Sequence, residues 1–138
     1  MMKTAFLTFA MLSASSALGC ECGPVSVSEA KKSAEVVFRG TITAISDGKV
    51  MFRVDRVWKG EVGGTFQMPE FTAGGSCLGF RPSLLLVGND LLVFAWQLRR
   101  FAGDADYFTD ICTRTSMWDD AGGAVKKLGK GRLPRGNP

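Results

Sequence analysis

At 138 residues the chain has room for one domain, and its 17 basic and 13 acidic side chains give a formal charge of +4. Histidine is absent, which excludes a Ser-His-Asp triad, a Cys-His pair and a histidine-ligated zinc site built from this chain alone. Five of the cations, Lys126, Lys127, Lys130, Arg132 and Arg135, follow Val125 with no acid among them. The basic balance therefore belongs to the tail. A nucleic-acid partner, which asks for a basic stripe across the fold, is not expected.

Met1 to Gly19 has the three parts of a secretory signal. Lys3 is the charged start, Ala5 to Leu12 the apolar run, and Ala17 and Gly19 are the small residues three and one before Cys20. The run is too short for a bilayer core of ~30 Å, which needs about 20 residues. The later apolar stretch Leu84–Ala95 is interrupted by Gly88-Asn89-Asp90. The expectation is a signal peptide over 1–19, a mature chain that begins at Cys20, a secreted or periplasmic protein and no transmembrane segment. The same residues also resemble a bacterial lipoprotein site. There Cys20 is lipidated and its amine acylated, which gives a lipid-anchored envelope protein. Ala17 stands where that signal usually carries Leu.

From Pro24 to Ser26 the chain reads as extended. Ser26-Val27-Ser28-Glu29 has the form of a capping box, and a short helix is predicted to about Ala34. Val36–Ile45 alternates, with Val36, Phe38, Gly40, Ile42 and Ala44 on one face and Val37, Arg39, Thr41 and Thr43 on the other; that is a strand. Asp47-Gly48 is a hairpin turn. Val50–Trp58 is the return strand with Phe52, Val54 and Val57 inward. Gly63-Gly64 turns the chain into a third strand, Thr65–Met68, closed by Pro69. Phe71–Gly79 is a glycine-rich loop that carries Cys77. Leu91–Gln97 is the fourth strand, Gly103–Asp106 a turn and Tyr107–Cys112 the fifth strand. Trp118, Ala121, Val125 and Leu128 recur at helical spacing, so Ser116–Leu128 is predicted as a helix.

These elements make one domain over 20–128, followed by a basic, disordered tail over 129–138. Five short strands with a hairpin, a long excursion and flanking helices predict an all-β fold. The architecture expected is a five-stranded Greek-key barrel of the oligonucleotide/oligosaccharide-binding (OB) type, with an open β-sandwich as the other solution to the same pattern. Phe52, Phe66 and Phe94 read as core rather than as a platform for stacked bases. Asp104, Asp106 and Asp110 read as a solvated polar turn. No acid pair or nucleophile motif stands out, so an enzyme is not expected, nor a cofactor.

All four cysteines, Cys20, Cys22, Cys77 and Cys112, lie beyond the leader. An even count in an exported chain points to disulfides. A bridge between Cys20 and Cys22 would close a small strained ring. In an extended segment their side chains point to opposite faces, so the two can tie one short segment to two different parts of the body. Spacing alone leaves open which partner each takes. A four-thiolate zinc site is the alternative, although the paired CxxC spacing of such sites is missing.

The residues CECGPVSVSEA, AEVVFRG, FRVDRVWKG, SCLG, DLLVFA and DICTRT, in that order, cover nearly the whole mature chain. Together they resemble the N-terminal domain of the tissue inhibitors of metalloproteinases, within the netrin-like group, as an exported relative of bacterial type. The cysteine-x-cysteine start directly after a signal peptide is the specific part. The resemblance implies an OB barrel with bridges Cys20–Cys77 and Cys22–Cys112. It implies a zinc metalloprotease as partner, whose catalytic zinc is chelated by the α-amino nitrogen and carbonyl oxygen of Cys20. Glu21 would enter the main specificity pocket, where the family has a small hydroxyl residue. Cys22, Gly23, Ser76, Cys77 and Leu78 would contact the protease beside it. The protein would act as a monomer with no metal of its own. The alternative function is a non-inhibitory netrin-like binding or surface module, lipid-anchored at Cys20 if the leader is of the lipoprotein kind.

Overall fold

The computed structural model describes residues 20–98 and 106–136. Helix α1 spans Val27–Ser33 and leads into strands β1 (Val36–Ser46), β2 (Lys49–Lys59) and β3 (Thr65–Pro69). A 3-10 turn at Pro82–Leu84 precedes β4 (Asp90–Gln97), and β5 is short, Tyr107–Phe108. The chain continues through β6 (Ser116–Met117), a second 3-10 turn at Trp118–Asp120 and helix α2 (Gly122–Leu128).

The start of α1 is the capping box expected: Ser26 Oγ accepts from the Glu29 amide, and Glu29 accepts from the Ser26 amide. Asp47 and Gly48 both take positive φ, 52° and 72°, which fits a tight turn whose twist matches the two strands it joins. The antiparallel sheet runs in the order β3-β2-β1-β4-β5, with β6 also paired to β4. The outer strands then approach each other, with the Phe66 and Tyr107 rings 5.2 Å apart between centroids. The sheet is thus nearly closed into a five-stranded all-β barrel of the OB type.

Closure needs strong local coiling, and bulges supply it. Asp55 is the extra residue of β2 between the pairs Arg39↔Arg56 and Gly40↔Val54. The bulge breaks strict alternation, so that Val54 and Val57 both point inward although three residues apart. Gly40 sits opposite it. A Cβ there would lie 3.1 Å from the Phe38 ring and 3.2 Å from the Arg53 carbonyl oxygen, so the strands cross more closely than a larger residue allows.

Two cores result, one on each side of the sheet. Inside the barrel lie Val36, Phe38, Ile42, Val50, Phe52, Leu91, Val93 and Ala95. Outside it, Val37, Leu92 and Phe94 pack against Val27 and Ala30 of α1 and Ala121 and Ala124 around α2. Strand β4 is therefore buried on both faces, from Leu91 to Ala95 without a break, where a barrel strand alone would bury only its inner one. The cause is the pair of helices laid over its outer face. Phe52 and Phe94 are fully enclosed and Phe66 packs against Phe38 and Tyr107, so none of the three is a free stacking platform.

Beside the outer core, Arg39 lies over the Trp118 ring at 4.0 Å and pairs with Asp90 at 2.6 Å. The Asp90 hydrogen bond is the main reason the Arg39 guanidinium pKa lies above its ordinary value. Trp118 in turn stacks on Trp58, with centroids 6.1 Å apart. This contact explains why Ser116–Leu128 is not one helix. Ser116 and Met117 pair with Leu92 and Leu91, Trp118 turns down onto Trp58, and the helix starts only at Gly122.

The tail also differs from its expectation. Its composition predicts disorder, yet residues 129–136 run along β2. Arg132 and Val57 exchange backbone hydrogen bonds of 2.7 and 2.8 Å, Trp58 Nε1 donates to the Gly129 carbonyl at 2.8 Å, and the Arg135 amide donates to Val62. β3 covers only the Lys49–Arg53 half of that edge of β2. The tail caps part of the remainder, where free backbone groups would otherwise face water or another chain. Most of the turn predicted at 103–106, including Asp104, lies outside the described residues.

Two substitutions test the two-core arrangement. Phe38→Ala empties space inside the barrel and Phe94→Ala empties space under the helices. Each should lower unfolding free energy in denaturant titrations by about 3–5 kcal/mol, the usual cost for a buried aromatic. A loss under about 1 kcal/mol at Phe94 would mean that the helices do not cover the sheet.

Candidate functional site at the N-terminal segment

Residues Cys20 to Ser26 belong to no helix or strand. Their position is set by covalent and polar ties to two other segments. Cys20 is bridged to Cys77 and Cys22 to Cys112, with Cα–Cα distances of 5.2 and 5.1 Å. This is the pairing that the resemblance implies. The two bridges touch, with Cys20 Sγ 3.4 Å from Cys112 Sγ. The sulfur atoms of Cys20, Cys22 and Cys112 lie within 4.8 Å of one another, but each is already bonded to another sulfur and has no thiolate to offer a metal. Further along, Arg114 Nε donates to the Val25 carbonyl at 2.8 Å.

The two receiving segments are themselves fixed by the barrel. In the loop carrying Cys77, Gly79 takes φ 108°, and a Cβ there would come within 2.6 Å of the Phe71 carbonyl oxygen. Its amide donates to the Thr109 carbonyl at 2.8 Å, and the Cys77 carbonyl accepts from the Ile111 amide at 3.0 Å. The loop and the segment holding Cys112 are thus hydrogen-bonded to each other as well as bridged to the N-terminal segment.

The sequence predicts a strand over Tyr107–Cys112 that ends at Cys112. The strand stops at Phe108 because Asp110 folds the chain back on itself. Its Oδ1 accepts from the amides of Cys112 and Thr113 at 2.8 and 2.6 Å. Three threonines then hold the turn against β4. Thr109 Oγ1 donates to the Phe94 carbonyl at 2.8 Å, Thr115 Oγ1 accepts from the Phe94 amide at 2.9 Å, and Thr113 Oγ1 lies 3.1 Å from Thr109 Oγ1. Hydroxyls here complete the hydrogen bonds that a neighbouring strand would have made. Among the described residues no buried side-chain polar atom lacks a partner. The signal was present in Asp-x-Cys-Thr, a pattern in which an aspartate captures amides two and three residues on.

Glu21, Cys22, Gly23 and Ser76 are exposed, and Cys20, Cys77 and Leu78 are half-buried. The Cys20–Cys77 bridge joins Cys20–Gly23 to Ser76–Leu78, so the residues singled out from sequence form one continuous surface strip. No protein-family model matches the chain, and neither does any curated protein sequence.

The Asp110 turn carries a direct expectation. Asp110→Ala removes the acceptor for two amides and should cost about 1–3 kcal/mol in denaturant unfolding. Asp110→Asn keeps an acceptor oxygen and should lose less. Equal losses for the two variants would show that the turn is held by something else.

Proposed function

We propose that this protein inhibits a zinc metalloprotease by presenting Cys20 to the catalytic metal. The observation that carries this reading is the double anchoring of Cys20 and Cys22, two residues apart, with the peptide between them exposed. If the leader is cut after Gly19, the α-amino nitrogen and carbonyl oxygen of Cys20 are spaced to close a five-membered ring on a metal. Such a chelate can take the position of the water that a zinc protease needs for hydrolysis. An α-amino pKa near 8 leaves a useful neutral fraction at about pH 7, and zinc favours that form. A terminus already immobilised by two bridges loses little further freedom on binding.

The Cys20–Cys77 bridge also bears on the lipoprotein alternative. A thioether lipid on Cys20 would occupy the same sulfur that joins Cys77. One cysteine cannot carry both, so an oxidised pair and a lipid anchor are mutually exclusive. Among the described residues no helix is long and apolar enough to cross a membrane.

Glu21 would set specificity. A carboxylate entering an apolar pocket without a partner is penalised, whereas a pocket lined by a guanidinium can pair with it by charge-assisted hydrogen bonds. Glu21→Ala should therefore tighten inhibition of a protease with an apolar pocket and weaken it for one with a basic pocket.

The decisive variant adds a single alanine before Cys20. It should abolish inhibition while leaving the thermal unfolding midpoint unchanged, because the bridges and the barrel are untouched. Inhibition that survives the extension would rule out chelation by Cys20. Lack of any inhibition by the unextended protein at micromolar concentration, across zinc proteases with both pocket types, would replace this reading with that of a netrin-like binding module.

A further inference from the structure

A pocket on the other side of the Thr113–Ser116 segment has a different character. It opens between the Pro82–Leu84 turn, that segment and α2, with a volume of about 630 Å³. Its floor includes the buried residues Val27, Leu84, Ala121 and Ala124. Its rim carries three cations, Arg81, Arg114 and Lys127, against one carboxylate, Asp120.

The two guanidiniums are held in place by the backbone rather than by acids. Arg81 Nη2 donates to the Ile111 carbonyl at 3.1 Å, and Arg114 Nε donates to the Val25 carbonyl at 2.8 Å. Each uses one N–H group in this way and keeps others for a ligand. The ion pairs among the described residues join Arg39 to Asp90, Arg53 to Asp55 and Arg135 to Glu61, so none involves the three rim cations. Ser83 and Ser116 add hydroxyls to the same lining.

We propose that this pocket binds a small organic dianion: an apolar body that rests on the floor, and a phosphate monoester or a pair of carboxylates that meets the rim. Three positive charges against one negative leave two to be neutralised, which is the charge of either group. Fixed guanidinium forks suit oxyanions, and half-buried Met117 beside the closed floor leaves a small apolar body some surface to cover. The site is separate from the Cys20 strip, and its existence does not depend on protease inhibition.

Titration calorimetry on the disulfide-bonded protein, with phenyl phosphate, phenylsuccinate and uncharged benzyl alcohol as probes, tests this. At least one of the two dianions should bind with a Kd below about 1 mM, and benzyl alcohol should not bind. The dianion that binds more tightly identifies the charged group. Lys127→Gln, at a side chain with no hydrogen bond among the described residues, should weaken binding about fivefold, and Arg81→Gln by a similar factor. Asp120→Asn should strengthen it. Lys130→Gln makes the same change in net charge outside the pocket and should leave the affinity unchanged. The proposal is overturned if neither dianion binds, if benzyl alcohol binds equally well, or if Lys130→Gln weakens binding as much as Lys127→Gln does.

Discussion

Two covalent bonds, made by cysteines two positions apart, hold a segment that has no secondary structure to hold it. The bridges span 57 and 90 residues of sequence. For loops of that length the chain-entropy argument assigns each about 4–5 kcal/mol, against a typical domain stability of about 5–15 kcal/mol. Losing either bridge would therefore affect the whole fold. The same bonds decide what the surface can do. They leave Glu21 to Gly23 exposed while removing most of the freedom that an unanchored terminus would lose on meeting a partner.

The bridges are only as rigid as what they are tied to. The segment that carries Cys112 rests on β4, the strand that is buried on its inner face by the barrel and on its outer face by the two helices, and the loop that carries Cys77 is hydrogen-bonded to that segment in turn. The threonine hydroxyls bond to the Phe94 backbone, and Asp110 holds the turn that presents Cys112. Order passes from apolar burial to a polar network, from that network to a turn, and from the turn through sulfur to the N-terminal segment. In this arrangement a side chain such as Phe94 contributes to the shape of a surface that it does not reach.

Much of the barrel was legible because its signals are local. Alternation gave β1, Asp47-Gly48 gave the hairpin, and Ser26 with Glu29 gave the start of α1. What was not legible depends on contacts distant in sequence. The burial of both faces of β4 requires knowing that α1 and α2 meet over Leu92 and Phe94. The break before α2 comes from Trp118 reaching Trp58, and the ordered tail from Arg132 finding the uncovered edge of β2. The end of β5 is also a local matter, since Asp110 followed by Cys112 and Thr113 is a turn signal that stops the strand short of Cys112. For the site, the exposed strip follows from the cysteine spacing once the bridges are known. The basic pocket does not, because Arg81, Arg114 and Lys127 are scattered along the chain and only the fold gathers them.

The chemistry proposed for Cys20 requires one thing above all, an unmodified amine on a cysteine whose sulfur is bonded to Cys77. Intact mass measurement of the exported protein, followed by peptide mapping without reduction, reports both at once. The account predicts a chain that begins at Cys20 with a free α-amino group and, after cleavage at Glu21, a Cys20 peptide linked to the one that contains Cys77 and a Cys22 peptide linked to the one that contains Cys112. A lipid or acyl group on Cys20, or residues 1–19 still attached, would contradict it.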